Sequence, residues 1–99
     1  KFPHSVVLFN FCGVIYVALN QYDAGIDCYN RALKIKPNFA KAHNNIGIAF
    51  RETGELATSI GAFKQALKLD PTYAAAHNNL GISMKIIGKL DAAIECYQD

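Results

Sequence analysis

The chain has 99 residues and a formal net charge of +2 at pH 7, and 52% of its residues are hydrophobic against 18% charged. This length predicts a single domain, and so weak a positive charge argues against nucleic-acid binding, which usually shows a strongly basic surface. The three cysteines leave one without a partner under any disulfide pairing. They therefore favour a reducing compartment, and we expect a cytoplasmic protein.

The first element in chain order is an apolar stretch over residues 6–19, interrupted by the amide of Asn10. Its fourteen residues are too few to cross a bilayer as a helix, which needs about 20. The stretch therefore predicts a helix buried on nearly every side and no membrane partner.

The whole sequence repeats with a period of 34 residues. The recurring positions hold Pro3, Pro37 and Pro71; Gly13, Gly47 and Gly81; Asn10, Asn44 and Asn78; Asn45 and Asn79; Gly54 and Gly88; His43 and His77. A fixed period of this length is the signature of a repeat architecture. We divide the chain into units 6–39, 40–73 and a partial unit 74–99, with residues 1–5 as the tail of a preceding repeat.

Each unit predicts two helices joined by a short turn, which makes them antiparallel neighbours. The first helix begins near a proline, with Asp70 as the N-cap residue before Pro71. It ends at Asn20, Gly54 or Gly88, because asparagine and glycine tolerate the left-handed conformation that terminates helices. The second helices follow over residues 22–35, 55–69 and 90–99.

These residues resemble the tetratricopeptide repeat family, whose pattern places an aromatic, Leu-Gly, Tyr, a small residue, a second aromatic and Pro at fixed spacings. The matching positions are Phe9, Cys12, Gly13, Tyr16, Gly25, Tyr29 and Pro37 in unit one; His43, Ile46, Gly47, Phe50, Ser59, Phe63 and Pro71 in unit two; and His77, Leu80, Gly81, Met84, Ala93 and Tyr97 in unit three. The resemblance covers nearly the whole chain. It implies an all-α fold, a right-handed α-solenoid of antiparallel helix pairs.

The mid-helix glycines have a physical explanation of their own. Glycine inside a helix costs about 1 kcal/mol relative to alanine, so its recurrence at three equivalent positions indicates close approach of the paired helix. We expect the small residues Gly25, Ser59 and Ala93 to face these glycines. The rings of Tyr29, Phe63 and Tyr97 should then fill the space between units.

The resemblance implies that the first helices line a concave groove that binds an extended peptide or a segment of a partner protein. Residues three, four and seven positions apart share a helical face. On this basis the predicted peptide-binding groove consists of Asn10, Phe11, Val14, Lys41, Asn44, Asn45, Ile48, Arg51, Asn78, Asn79, Ile82 and Lys85.

The groove asparagines are the most suggestive of these residues. A side-chain amide has donors and an acceptor, so evenly spaced amides could hold the backbone of an extended ligand whatever its sequence. Alternatively, Asn44 and Asn78 bond only to neighbouring turns or to water. Repeat regions of O-linked N-acetylglucosamine transferases carry a similar asparagine ladder. An alternative function is therefore the substrate-presenting repeat region of a larger glycosyltransferase.

A second binding mode of the family is the carboxylate clamp, which holds an acidic C-terminal tail with Lys, Asn, Asn, Lys and Arg. The matching positions here hold Asn10, Val14, Asn45, Ala75 and Asn79. Because only Asn45 fits, the sequence argues against a clamp.

The sequence contains no nucleophile–base pair, phosphate-binding loop or metal-ligand spacing. His43 and His77 occupy the position of the first aromatic, so we expect them to pack, and Cys12 takes a position expected to be buried. We therefore predict no catalysis, no metal and no cofactor in this chain.

The first residue is Lys1, and neither end carries the polar cap with which solenoids usually finish. We therefore expect an internal piece of a longer protein, whose excess of hydrophobic residues reflects uncapped ends. End-to-end self-association through those ends is a third hypothesis.

Overall fold

The computed structural model describes the backbone of residues 5–98 and the side chains of residues 5–95. Predictions that concern Phe2, Pro3 or the side chains of Cys96 and Tyr97 lie outside the described residues. The elements are α1 (Val6–Ala18), α2 (Tyr22–Ile35), α3 (Ala40–Glu52), α4 (Leu56–Leu69) and α5 (Ala74–Gln98). They form an elongated array with extents of 63 × 29 × 18 Å. The described residues contain helices and no strands, so the all-α prediction is confirmed.

The turns after α1 and α3 have the predicted left-handed residues. Asn20 has a φ of 63° and Gly54 a φ of 87°. Beyond each of them a backbone N–H returns to the last turn of the helix: Gln21 N–H donates to Tyr16 O and Glu55 N–H to Phe50 O, both at 2.9 Å. These bonds satisfy carbonyls that the end of the helix leaves without partners. The asparagine therefore replaces the glycine without loss of the turn.

The predicted turn at Gly88 is wrong, because α5 is a single helix of 25 residues that includes Gly88. Ending a helix gives up backbone hydrogen bonds, and a second helix packing back on the first offsets that loss. At Gly54 the turn is also supported by the Thr53 hydroxyl, which donates to Phe50 O at 2.9 Å. The residue equivalent to Thr53 is Ile87, which cannot make this hydrogen bond, although the turn at Asn20 forms with Leu19 at the same position. Among the described residues no second helix packs on Gly81, and Gly88 stays inside α5.

Pro37 and Pro71 lie in the turns between repeats and not in the first helical turns. Phe39 N–H donates to Lys36 O, and Tyr73 N–H donates to Asp70 O, each at 3.1 Å. These bonds place Pro37 and Pro71 at the second position of a β-turn, which their fixed φ suits. The Asp70 carboxylate accepts from Thr72 N–H at 3.2 Å within this turn. The assignment of Asp70 as the N-cap of α5 is therefore wrong.

The first two helix pairs approach closely at their mid-helix glycines, as predicted. An aromatic ring lies over each glycine, and Ser59, which was expected to face Gly47, pairs with Ser83 instead. A Cβ built on Gly13 would lie 2.6 Å from Tyr29 Cδ1, and one built on Gly47 would lie 2.6 Å from Phe63 Cε1. The two rings are 2% and 0% exposed. Gly25 faces Val17 on the opposite helix in the same close manner. Only glycine lets the helices approach this closely, and burying each ring contributes about 2–3 kcal/mol.

The third unit does not repeat this packing. A Cβ on Gly81 would meet no atom of the described residues within 4 Å, and Ala93 is exposed. The expectation that Ala93 faces Gly81 is therefore wrong, because both residues belong to the single straight helix α5.

Consecutive repeats are joined by a small apolar core and a buried polar contact. Tyr29 of α2 packs with Ile46 and Ala49 of α3. One repeat further on, the hydroxyls of Ser59 and Ser83 are 2.9 Å apart, and both residues are fully buried. Each serine satisfies the other's hydrogen-bonding group, so neither is left unsatisfied in the core.

The expectation that α1 is buried on nearly every side is wrong. Val7 is 69% exposed, Leu8 57% and Leu19 60%, because α1 packs only against α2 and α3. Among the described residues, no helix combines the length and the hydropathy needed to span a membrane.

Candidate functional site

All predicted groove residues lie on α1, α3 and α5, the first helices of the three repeats. These three helices are consecutive neighbours: α3 contacts α1 on one side and α5 on the other. We call the surface formed by the twelve predicted residues the first-helix face. Two surface depressions are lined by residues outside this set, one by Phe9, Arg31, Lys34 and Ile35 and the other by residues 20–24 with Thr53.

An apolar row runs across the first-helix face. Val14, Ile48 and Ile82 stand at the same position of successive repeats. Val14 is 42% exposed and Ile82 39%, and Ile48 between them is half-buried. Phe11, one helical turn before Val14, is 58% exposed. Side chains of this kind, accessible and regularly spaced, are what an apolar segment of a partner would contact.

The three basic residues of the face have different surroundings. Lys41 and Lys85 are exposed. Arg51 is half-buried, and its guanidinium donates to the backbone and side-chain oxygens of Asn79 at 3.4 and 3.3 Å. It also lies 5.8 Å from the centre of the Phe63 ring. Arg51 therefore joins the second and third repeats, whereas the two lysines offer their charge to solvent.

The asparagines pair with one another between repeats. The Asn45 amide donates to Asn10 Oδ1 at 3.0 Å, and the Asn79 amide donates to Asn44 Oδ1 at 3.1 Å. Asn10 and Asn44 are 8% and 4% exposed, so they face the interior of the array. Asn78 is exposed. We call these two hydrogen bonds the amide ladder.

The sequence analysis placed the asparagines on one surface but missed their pairing. The signal was present in the two consecutive asparagine pairs, Asn44–Asn45 and Asn78–Asn79. The second asparagine of each pair follows its acceptor by 35 residues, as Asn45 follows Asn10. The pairing uses one amide N–H of Asn45 and one of Asn79. Since an amide has two N–H donors, each retains one for other contacts.

Each of the two repeated histidines forms a hydrogen bond with the backbone carbonyl of a proline. His43 Nε2 lies 2.9 Å from Pro37 O, and His77 Nε2 lies 2.8 Å from Pro71 O. A carbonyl oxygen only accepts, so Nε2 carries the proton and donates it. The histidines therefore close the turns between repeats. The six-residue spacing from proline to histidine, present twice, was the signal that the sequence analysis did not use.

Two neighbouring ionisable groups of the first repeat, Cys28 and Tyr29, have raised pKa values. Burial, with a smaller contribution from Cys28, raises the pKa of Tyr29 to about 12. Burial likewise raises the pKa of the Cys28 thiol, with smaller contributions from Cys12 and Asp27. A raised thiol pKa lowers the thiolate fraction and hence the reactivity. Within the part of the chain that the structure describes, no three His, Cys, Asp or Glu side chains cluster as metal ligands would.

Comparison with known proteins bears directly on this architecture. The TPR repeat family model matches residues 13–54 and again residues 49–85. The two matches together cover well over half of the chain. The chain belongs to the TPR repeat family. The all-α TPR solenoid predicted from the sequence is confirmed.

Solved TPR structures share this fold. The first TPR of Spaghetti (RPAP3), bound to the HSP90 peptide SRMEEVD, superposes with a TM-score of 0.82 at 22% identity, over 94% of this chain and 76% of that chain. The second TPR of the same protein, with the same peptide, gives 0.81 at 22% identity, over 94% and 86%. The MamA protein gives 0.81 at 21% identity, over 95% and 51%. No curated protein sequence matches the chain.

Proposed function

We propose that this chain is a protein-interaction scaffold that binds an extended segment of a partner protein along the first-helix face. The observation that carries the proposal is the accessible apolar row of Val14, Ile48 and Ile82, one residue from each repeat. Two similar TPR structures hold a peptide, which supports a binding role over a catalytic one.

The composition of the face favours an apolar segment with acidic residues beside it. Apolar side chains of the ligand would pack on the row, and its carboxylates would lie near Lys41 and Lys85, the exposed cations of α3 and α5. The second amide N–H groups of Asn45 and Asn79 would bind ligand backbone carbonyls. Such hydrogen bonds contribute about 1 kcal/mol each, whereas micromolar affinity needs about 8 kcal/mol. The apolar contacts therefore have to supply most of the affinity.

The HSP90 peptide SRMEEVD, which the two RPAP3 structures contain, fits this face less well. Two positions where a carboxylate clamp places charged or polar groups hold Val14 and Ala75 here. We therefore propose that this chain does not use a clamp to bind its partner.

The glycosyltransferase alternative finds no support in the family match or in the solved structures described above. A cytoplasmic location and the exclusion of nucleic-acid and membrane partners stay predictions from the sequence. The division into units stays a prediction from the period of 34 residues.

The test compares two neighbouring residues of α1. Peptides selected from a displayed library of random dodecamers would be synthesised with a fluorophore and titrated against the chain by fluorescence anisotropy. Val14→Asp places a carboxylate in the apolar row, and we expect affinity to fall at least about tenfold, which corresponds to about 1.4 kcal/mol. Ile15→Asp is the matched control, since Ile15 is 44% exposed against 42% for Val14 but lies off the row.

The proposal fails if no library peptide is enriched, or if Val14→Asp and Ile15→Asp bind the selected peptides with equal affinity. A labelled SRMEEVD peptide serves as the second probe. Binding of SRMEEVD as tight as that of the selected peptides would overturn the preference for apolar segments.

A further inference from the structure

Several residues of α5 are exposed, although the residues 34 positions earlier in the second repeat are buried. In the second repeat, Gly47 is buried on α3, and Leu56 and Ser59 are 8% and 0% exposed on α4. The residues 34 positions later are Gly81, Leu90 and Ala93, and all three are exposed on α5, Leu90 by 50%.

The apolar residues next to Gly81, Leu90 and Ala93 are likewise more exposed than their equivalents in the second repeat. Phe50 and Ile60 are half-buried in the second repeat, whereas their equivalents Met84 and Ile94 are 51% and 53% exposed. The first half of α5 therefore presents the surface on which a second helix would pack. Its second half presents the matching surface of that second helix. We call the surface formed by Gly81, Met84, Leu90, Ala93 and Ile94 of α5 the open interface.

A straight α5 cannot close its own open interface. In the first two repeats the glycine of the first helix meets the aromatic residue sixteen positions later, as Gly47 meets Phe63. The same spacing in the third repeat joins Gly81 to position 97. Along one helix these positions are about 24 Å apart, because each residue rises about 1.5 Å. The partner of Gly81 must therefore come from another helix.

A second copy of the chain would supply that helix through a contact with two-fold symmetry. The helix–helix contacts of the first two repeats are centred on residues 21 and 55, the midpoints of Gly13 with Tyr29 and of Gly47 with Phe63. The equivalent centre in α5 is residue 89. Two α5 helices crossing antiparallel at residue 89 would place position 97 of each copy at Gly81 of the other. A two-fold axis there satisfies both open interfaces at once.

A turn at Gly88, which would fold α5 back within one copy, would lack the side-chain hydrogen bonds of the turn at Gly54. At Gly54 the Thr53 hydroxyl donates to Phe50 O at 2.9 Å and contacts the Glu55 carboxylate at 3.1 Å. The third repeat has Ile87 and Lys89 at those two positions, so neither contact can form. The turn at Asn20 forms without these contacts, with Leu19 and Gln21 in their places, so the unbroken course of α5 is the observation that favours a partner helix from another copy.

We propose that two copies of this chain form an antiparallel dimer through α5, in which residues 89–98 of each copy pack on the Gly81 surface of the other as a second TPR helix. The interface repeats contacts that the chain already makes in α1–α2 and α3–α4. It involves a different surface from the apolar row, and it does not depend on the proposed peptide binding.

Disulfide trapping distinguishes the dimer from a folded-back monomer. In the first repeat Val17 contacts Gly25, and the equivalent third-repeat positions are Lys85 and Ala93. The test variant carries Lys85→Cys and Ala93→Cys with Cys12, Cys28 and Cys96 each replaced by alanine, and oxidised glutathione is the oxidant. Along one straight helix the two cysteines are about 12 Å apart, too far for a disulfide, which needs Cα atoms within about 7 Å.

We expect a covalent dimer on non-reducing electrophoresis. A monomer with an internal disulfide would show that α5 folds back at Gly88, and the absence of any disulfide would show that the open interfaces do not meet. Either result overturns the proposal. The control is Ala57→Cys with Lys64→Cys in the same background, two exposed residues of α4, which should stay monomeric.

Sedimentation equilibrium of the chain without substitutions gives a second measurement. Gly81→Leu fills the surface on which the partner helix packs, and we expect it to raise the dimer dissociation constant at least about tenfold. Gly61→Leu is the matched control, because a Cβ on either glycine meets nothing within 4 Å; it should change the constant less than about twofold. Circular dichroism checks that both variants fold. A monomeric wild-type chain, or equal effects of the two variants, would contradict the proposal.

Discussion

The second and third repeats share their mid-helix glycine and their turn glycine, yet only the second folds into a helix pair. Gly54 and Gly88 are equivalent, but Gly54 has a φ of 87° and ends α3, whereas Gly88 lies inside α5. Phe63 is fully buried against Gly47, and Gly81 has no such contact. The comparison shows that a glycine permits a turn, while the packing of the following helix determines whether the turn forms.

The largest expected difference between the two repeats concerns their mid-helix glycines. Gly47→Ala places a Cβ within 2.6 Å of the Phe63 ring, and we expect the free energy of unfolding to fall by about 1–3 kcal/mol through overpacking. Gly81→Ala should raise it by up to about 1 kcal/mol, because alanine is the better helix former and no atom lies in its way.

Urea denaturation of both glycine variants, at protein concentrations where the chain is monomeric, measures these changes. If Gly81→Ala destabilises the chain as much as Gly47→Ala does, a second helix packs on Gly81 within one copy, and the difference between the repeats disappears.

The turn glycines should differ by a smaller amount. Gly54→Ala forces a residue with a Cβ into the left-handed region, which costs about 1–2 kcal/mol. Gly88→Ala should instead stabilise the monomer by up to about 1 kcal/mol, because Gly88 is a helix-interior residue. Thermal unfolding followed by circular dichroism gives both values. Equal destabilisation by the two substitutions would show that α5 is broken at Gly88.

The smallest expected effect concerns the amide ladder at the boundary between these repeats. Asn79→Ala removes the hydrogen bonds to Asn44 and from Arg51, and we expect a loss of about 1 kcal/mol in unfolding free energy. Asn78→Ala, at the exposed neighbouring residue, should change it by less than about 0.5 kcal/mol.

Denaturation with peptide titration separates the two roles of Asn79. If Asn79→Ala leaves stability unchanged and only weakens peptide binding, the amide acts on ligand and the ladder contributes nothing to the stacking of repeats.

Much of the architecture could be predicted because it depends on local signals. The period of 34 residues placed the unit boundaries at residues 6, 40 and 74, and α1, α3 and α5 begin at these residues, although the helix start predicted at Pro71 was three residues early. Asn20 and Gly54 were recognisable as turn residues because few side chains tolerate a positive φ. The close contacts of Gly13 and Gly47 followed from the cost of glycine inside a helix. The twelve residues of the first-helix face were found on the helices to which the sequence assigned them.

The sequence by itself determined the repeat, the helices of the first two units and the residues that their surfaces carry, because propensity and periodicity act over neighbouring residues. The tertiary structure decided which amides pair across repeats, how exposed α1 is and whether Gly88 forms a turn. Each of these depends on what lies opposite a residue in space. Helix α5 is the clearest case: its sequence encodes a helix pair, but a turn persists only where a packed helix offsets the hydrogen bonds that it breaks.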